Sequence, residues 1–198
     1  MKKVNPFRIA SYVLSAHELK QLPKDQGIEV AIAGRSNAGK SSAINTFTDQ
    51  KSLARTSKTP GRTQQIVICE LDEDRRIADW PGYGYAKVPV KQKDHWRKVM
   101  ARYFETRKCL RGVVLVMDIR HPMKDFDRQM LDWCDQAGIP CHILLTTADK
   151  RKRGPAKSTL LKVRREWPAS ACSQIFSASY KTGVDVVGGK RSSWYEYE

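Results

Sequence analysis

The feature that most constrains this chain is the octapeptide Gly34-Arg35-Ser36-Asn37-Ala38-Gly39-Lys40-Ser41, which matches GxxxxGK[ST] and lies between an apolar run and an amphipathic stretch. Its glycines let the backbone curl until successive N–H groups face one point, the arrangement that cradles phosphates at a helix N-terminus. Lys40 can then reach β and γ oxygens, and the Ser41 hydroxyl can ligate magnesium. A chance glycine turn would need neither the strand before it nor the helix after it, and both are legible here.

Around this loop, short apolar runs alternate with longer amphipathic stretches, which predicts an α/β fold of the P-loop NTPase type: a six-stranded mixed sheet with helices on both faces. The strands are read at Ile28 to Ala33, Gln65 to Leu71, Arg75 to Ala78, Gly112 to Ile119, Cys141 to Thr146 and Gln174 to Ser177. The acidic turn Asp72-Glu73-Asp74 makes the second and third a hairpin, and so one antiparallel edge. Helices are read at Ser41 to Thr48, Lys91 to Thr106, Lys124 to Ala137 and Lys157 to Trp167, with Lys150 to Pro155 as a basic loop before the last. A closing helix over Val184 to Trp194 would contain Gly188-Gly189, which weaken it by roughly 1–2 kcal/mol relative to alanines. At 198 residues the chain fits one domain, residues 28–198, with residues 1–27 as an N-terminal arm packed on it.

The charge balance is the unusual part of the composition. Lys plus Arg number 36 against 21 for Asp plus Glu, a net charge of +15 that favours polyanions. Asn5, Pro6, Arg8, Ser11 and His17 interrupt any apolar core of a signal peptide, and the longest apolar run, Val113 to Met117, is strand-sized. A cytosolic, monomeric protein without a membrane partner is expected. Five cysteines without a CxxC pair or zinc-like spacing read as buried reduced thiols.

A phosphate loop alone does not separate ATPases, kinases and GTPases. Three further boxes do. Asp79-Trp80-Pro81-Gly82 is a DxxG: its carboxylate can hold magnesium through water and its glycine amide can meet the γ-phosphate. Thr146-Thr147-Ala148-Asp149 ends a strand with a carboxylate able to accept two hydrogen bonds from the N1 and N2 edge of guanine, which adenine cannot supply. Phe176-Ser177-Ala178-Ser179 ends the last strand, placed for a backbone amide to reach guanine O6. All lie at carboxyl ends of strands, where open α/β sheets bind ligands. Thr56, Thr59 and Thr63 are each candidates for a switch threonine on magnesium, in a loop with turn signals at Lys58 to Arg62. Tyr83 stands where a water-orienting glutamine is found in Ras-type enzymes, so slow hydrolysis is expected.

Together, GRSNAGKSS, SKTPGRTQ, DWPGYGYA, MDIRHP, TTADK and FSAS resemble the EngB (YihA/YsxC) family of bacterial GTPases, in the TrmE-Era-EngA-EngB-Septin-like superfamily. The resemblance spans Val13 to about Gly183 and implies a Ras-like G domain acting in assembly of the large ribosomal subunit, with a requirement in cell division and septation. Carried residue by residue, it makes Gly34, Arg35, Ser36, Asn37, Ala38, Gly39, Lys40 and Ser41 the phosphate loop, and Ser41 and Thr63 the magnesium ligands. Gly61, Arg62, Thr63, Gln64 and Gln65 become the first switch, and Asp79, Trp80, Pro81 and Gly82 the second. Thr146, Thr147, Ala148 and Asp149, with Phe176, Ser177, Ala178 and Ser179, surround the base. Lys40, Thr63 and Gly82 become the catalytic residues. Asn37 is similar to the asparagine with which potassium-activated GTPases hold a monovalent ion, making K+ a further candidate cofactor beside Mg2+ and GTP or GDP; a residue stabilising its own turn is the alternative. The sequence departs from the family at Thr147, usually lysine, whose stem covers one face of guanine; at Trp80, usually smaller and positioned to crowd the second switch; and at Gly188-Gly189.

Lys87, Lys91, Lys93, Arg97, Lys98, Arg102, Arg107, Lys108 and Arg111 cluster on and around the helix after the second switch, and a second cluster runs from Lys150 to Lys157. Cations beside a nucleotide-sensitive loop link γ-phosphate state to RNA affinity; a solvated helix face is the plainer reading. Trp96, Tyr103 and Phe104 among them read as core contacts. The expected partner is the large-subunit precursor, its ribosomal RNA and ribosomal proteins. The competing functions are a nucleotide-gated RNA-binding module with negligible hydrolysis and a P-loop kinase, for which no acceptor pocket is legible.

Overall fold

The run Leu110–Asp118 is buried along almost its whole length, as a strand covered on both faces must be, and it lies inside the sheet with a parallel neighbour on either side. The computed structural model describes residues 5–54, 64–84, 88–167, 171–185 and 193–196. Seven strands, β1 (Ser11–Ala16), β2 (Ile28–Gly34), β3 (Ile66–Glu70), β4 (Arg75–Asp79), β5 (Leu110–Asp118), β6 (Cys141–Thr146) and β7 (Ala171–Ile175), lie in the order β1-β3-β4-β2-β5-β6-β7. β3 and β4 form the antiparallel hairpin turned by residues 71–74, and β1 pairs antiparallel to β3. The pairs β4/β2, β2/β5, β5/β6 and β6/β7 are parallel, so the chain returns across the sheet through helices α1 (Lys40–Thr48), α2 (Val90–Thr106), α3 (Asp125–Gln136) and α4 (Arg153–Glu166).

Alternation along the strands separates two cores. Ala31, Ala33, Val113, Leu115 and Met117 meet Trp96, Met100, Tyr103, Met130, Leu131 and Val163 from α2, α3 and α4. Val30, Ile32, Val114 and Val116 point the other way, toward Ala43, Ile44 and Phe47 of α1. Helices on both faces are therefore present, and Trp96, Tyr103 and Phe104 are core residues.

The sheet departs from the sequence-based expectation at its edges. It has seven strands rather than six: β1 arises within the segment read as an arm and covers β3, with a register shift between Tyr12 and Leu14. β7 begins at Ala171, three residues before the expected strand, because Ser173 and Gln174 are buried and the Arg164 guanidinium of α4 donates to the Ser173 carbonyl at 3.0 Å. α4 begins at Arg153 rather than Lys157, so Arg153-Gly154-Pro155 is its first turn; proline is tolerated there because the first N–H groups of a helix have no intrahelical partner. Of the expected closing helix, residues 186–192, with Gly188 and Gly189, lie outside the described residues. Trp194 packs over Gly112 of β5, and the buried Tyr195 donates its hydroxyl to the Arg76 carbonyl at 2.6 Å. Cys69, Cys109, Cys134 and Cys141 are buried free thiols, whereas Cys172 is exposed, being on the outer edge strand.

At the end of the sheet opposite the phosphate loop, Glu29 is fully buried and fully engaged. Its carboxylate accepts from the Tyr103 hydroxyl at 2.5 Å, from Arg107 Nε at 3.1 Å and Nη2 at 2.8 Å, and from Arg76 Nε at 3.4 Å. Tyr103 and Arg107 belong to the end of α2, so this network fixes that end of the helix to β2 and β4.

Candidate nucleotide-binding site

Five strand ends meet where the phosphate loop leaves β2. Asn37 (φ 63°) and Gly39 (φ 85°) adopt the left-handed conformation needed for the loop to double back, and Ala38 N–H closes the turn on the Arg35 carbonyl at 3.1 Å. Asparagine is among the few side-chain residues that take this conformation readily, which accounts for Asn37 through its turn. Lys40 and Ser41 open α1, and the Lys40 ammonium donates to Asp79 Oδ1 at the end of β4. Both side chains are nearly buried, so the phosphate-reaching cation and the DxxG carboxylate are already brought together. Ser41 and Asp79 supply hard oxygen donors at that point, a set that suits magnesium.

The DxxG segment is joined to the phosphate loop backbone to backbone. Ser36 N–H donates to the Tyr83 carbonyl at 2.8 Å and Tyr83 N–H to the Gly34 carbonyl at 3.2 Å, extending the sheet by one parallel bridge between Arg35 and Tyr83. Gly82 passes so close to Ser36 that an added Cβ would sit 2.9 Å from its Oγ and 3.1 Å from its Cα. Trp80 does not crowd this junction. Its indole turns into the core beneath α2, edge-on to Tyr103 at 4.7 Å and to Trp96 at 6.2 Å. The Tyr83 phenol also leaves the phosphate face, donating to Asp127 Oδ1 on α3 at 2.5 Å with its ring against Phe126. Burial, then the Asp127 charge, pushes the Tyr83 hydroxyl well above its usual range, so it stays protonated and donates.

Of the first switch, Gly61, Arg62 and Thr63 lie outside the described residues. Gln64 Nε2 reaches the Gly82 carbonyl at 3.5 Å, and Gln65 Nε2 lies 2.7 Å from His17 Nε2, away from the phosphate loop.

The base-reading box connects to the loop through its first threonine. Thr146, at the end of β6, donates its hydroxyl to the Ala38 carbonyl and also lies 3.0 Å from the Met117 carbonyl, so it holds the phosphate loop against β5. Thr147 is in the left-handed region at φ 56°, a strained place for a β-branched residue, and its Oγ1 is 3.0 Å from Asp118 Oδ1 and 2.7 Å from the Thr146 carbonyl. Ala148 opens a short 3-10 turn and its N–H reaches the Phe176 carbonyl at 3.4 Å. Asp149 accepts from Ser177 Oγ at 3.1 Å, with Lys150 Nζ 3.9 Å from its other oxygen. Ala178 and Ser179 follow in the turn, while the Phe176 ring is buried in the core. The structure thus brings the two base boxes together and sends Trp80, Phe176 and Gln65 elsewhere.

One pair beside this loop, Asp118 and Arg120 of the MDIRHP segment, was given no place in the site by the sequence. Asp118, at the end of β5 and opposite Thr146, accepts from Arg120 Nε at 3.0 Å and Nη2 at 2.6 Å. Burial raises its carboxyl, but the Arg120 side chain, the Arg120 N–H and the Thr147 hydroxyl outweigh this and hold it below the ordinary carboxylate value. Its position at the carboxyl end of a buried parallel strand was the available signal.

A phosphate loop, a DxxG strand end and an acidic base-reading loop on one sheet edge define a P-loop GTPase. Residues 29–147 match the family model described as 50S ribosome-binding GTPase. The Probable GTP-binding protein EngB of Stenotrophomonas maltophilia (strain K279a) is 52% identical over 193 residues, 96% of each chain. The chain belongs to the EngB family of GTP-binding proteins; it binds guanine nucleotide and is a GTPase. Among solved structures, a probable GTP-binding protein engB superposes with a TM-score of 0.70 at 19% identity, over 86% of this chain and all of that one. The Aquifex aeolicus Era protein bound to GDP.AlF4- does so with a TM-score of 0.64 at 16% identity, over 85% of this chain and 57% of that one, a likeness of fold.

Proposed function

We propose that the chain is a slow, magnesium-dependent GTP switch that docks on the large ribosomal subunit precursor and assists its assembly, a step needed for cell division and septation. The observation that carries this is the basic face of α2 directly after the DxxG segment. Lys91, Lys93, Arg97, Lys98 and Arg102 are exposed while Trp96, Met100 and Tyr103 are buried, so one helix presents cations outward and packs the core inward. Trp80 of the DxxG segment packs beneath that helix against Trp96 and Tyr103, and a cavity of about 220 Å3, lined by Gly82, Tyr83, Trp96, Arg97 and Phe126 among others, opens beside this contact. Movement of Gly82 toward or away from a γ-phosphate therefore has a route to the cationic face.

In this reading Lys40 would exchange Asp79 for phosphate oxygens, and Ser41, Thr63 and Asp79 would hold the metal. Magnesium, when bound, neutralises the charge on the β and γ phosphates. Tyr83, committed to Asp127, orients no water, which supports a slow basal rate and also favours a second reading, a nucleotide-gated RNA-binding module with negligible hydrolysis. Phosphate release with and without large subunits separates the two. Asn37 enters a potassium site only if turnover rises when potassium replaces sodium. We also propose a cytoplasmic monomer without a membrane partner; among the described residues no helix is long and apolar enough to cross a membrane.

The test is co-sedimentation with large subunits across a salt series, comparing the unmodified protein with a variant carrying alanine at Lys91, Lys93, Arg97 and Lys98. Each lost phosphate contact flattens the slope of log affinity against log salt by about 0.7–0.9. An unchanged slope would show that the face is only solvated, and equal binding of the GTP and GDP forms would remove the switch.

A further inference from the structure

A guanine bound by Asp149 through one edge still has two broad faces, and the affinity of a purine site rests largely on what lies against them. The base-reading loop offers little on the side of Thr147. That side chain is short, and its hydroxyl lies against Asp118 and the Thr146 carbonyl. The neighbouring strand supplies a larger group at the same place. β5 and β6 run parallel with Asp118 opposite Thr146, and Ile119 N–H reaches the Thr146 carbonyl at 3.1 Å. The chain then turns: Arg120 N–H donates to Asp118 Oδ1 at 2.8 Å, and the guanidinium folds back to donate to the same carboxylate through Nε and Nη2.

We propose that Arg120 is a guanine-binding residue of this chain, its guanidinium covering the face of the purine ring that Thr147 is too short to cover. This rests on the reading of Thr146 to Asp149 as the base-reading loop. Three features of the geometry support it. The bonds to Asp118 lie in the plane of the guanidinium, so they use its edge and leave its two faces for a flat ring. Asp118 Oδ1 accepts from Arg120 Nε and lies 3.0 Å from Thr147 Oγ1, which places the plane beside the loop that carries Asp149. The Arg120 side chain remains 48% exposed while Asp118 is 14% exposed, so the anchor is covered and the plane is accessible. The Arg120 charge is stabilised first by Asp118 and also by Asp149, which shows that the two residues share one electrostatic neighbourhood.

The experiment is titration with GDP, IDP and ADP of the unmodified full chain, Arg120→Ala, Arg120→Lys, and Arg120→Ala combined with Thr147→Lys. IDP lacks the exocyclic amine that Asp149 reads but keeps the ring faces. Arg120→Ala is expected to weaken GDP and IDP by the same factor, about 3- to 30-fold, the range for a cation over an aromatic face. Arg120→Lys is expected to lie between, and Thr147→Lys to recover most of the loss by returning an alkyl stem to that face. An unchanged GDP affinity in Arg120→Ala overturns the proposal, as does a loss for GDP without one for IDP, which would mean an edge contact. A loss that Thr147→Lys does not recover, with a lowered melting temperature of the nucleotide-free protein, overturns it in favour of loop positioning through Asp118. If the unmodified protein binds ADP as tightly as GDP, the base-reading loop itself is misassigned, a failure distinct from any of these.

Discussion

Replacing Gly82 by alanine probes the junction on which the proposed switch depends. Its backbone is outside the left-handed region, so alanine meets no conformational penalty and the effect is steric. A Cβ would lie 2.9 Å from Ser36 Oγ, 3.1 Å from Ser36 Cα and 3.2 Å from Ser36 N. Two of these three atoms are backbone, so rotating the Ser36 side chain relieves only one contact, and the loops must separate by a few tenths of an ångström. That separation is opposed by the bonds joining Ser36 to Tyr83 and Tyr83 to Gly34. Overpacking of this kind costs about 1–3 kcal/mol, which corresponds to about 5- to 150-fold in whichever step needs the DxxG segment closed on the phosphate loop. GDP affinity should change little, GTP affinity should fall, and single-turnover hydrolysis with excess protein should fall by that factor. Adding Ser36→Ala should restore only part of the loss. Hydrolysis within twofold of the unmodified protein, with GTP affinity unchanged, would refute the argument that this close approach is functional.

Four further outcomes follow from named contacts. Arg107→Met removes two of the bonds to the fully buried Glu29 carboxylate and should lower unfolding free energy by about 3–5 kcal/mol, measured by urea denaturation. Tyr83→Phe removes a bond to a carboxylate and should cost about 1.5–3 kcal/mol of stability, while basal hydrolysis stays within twofold because the phenol faces α3. Asp149→Ala should erase the preference for GTP over ATP in competition binding. Because Asp118 is held below its ordinary value, its ion pair contributes fully above about pH 4 and is lost as pH falls through the lower folded value; Asp118→Asn should remove that part of the acid limb and leave the melting temperature's pH dependence between 5 and 8 unaltered.

The central strands were legible because β2, β5 and β6 are covered on both faces and read as near-continuous apolar runs. β1 was not, since an edge strand needs only one covered face: Tyr12 is 60% exposed and Ala16 fully buried, too short an alternation to stand out from a loop. The start of α4 was hidden by Gly154-Pro155, which punctuates a chain when read alone but is admissible in a first turn. Trp80 could have been oriented from strand period. Ala78 faces the core beneath α2, and two residues on Trp80 must face the same way, with Asp79 between them turned to Lys40.

What sequence motifs could not show is that the boxes depend on one another. Each is local, whereas the contacts that join them cross long stretches of chain: Lys40 to Asp79 spans 39 residues and Thr146 to Ala38 spans 108. The second has a consequence for the division of labour usually assigned to such boxes. The Thr146 hydroxyl faces the Ala38 carbonyl and not the base, so the first residue of the base-reading box acts on the curvature of the phosphate loop. Thr147 and Arg120 then share Asp118, which ties the same box to the end of β5. A substitution at Thr146 should therefore weaken nucleotides through their phosphates, whatever their base, whereas one at Asp149 changes which base is preferred. Two positions three residues apart in one motif thus act on opposite ends of the ligand, because β6 ends between the loop that holds the phosphates and the turn that meets the ring.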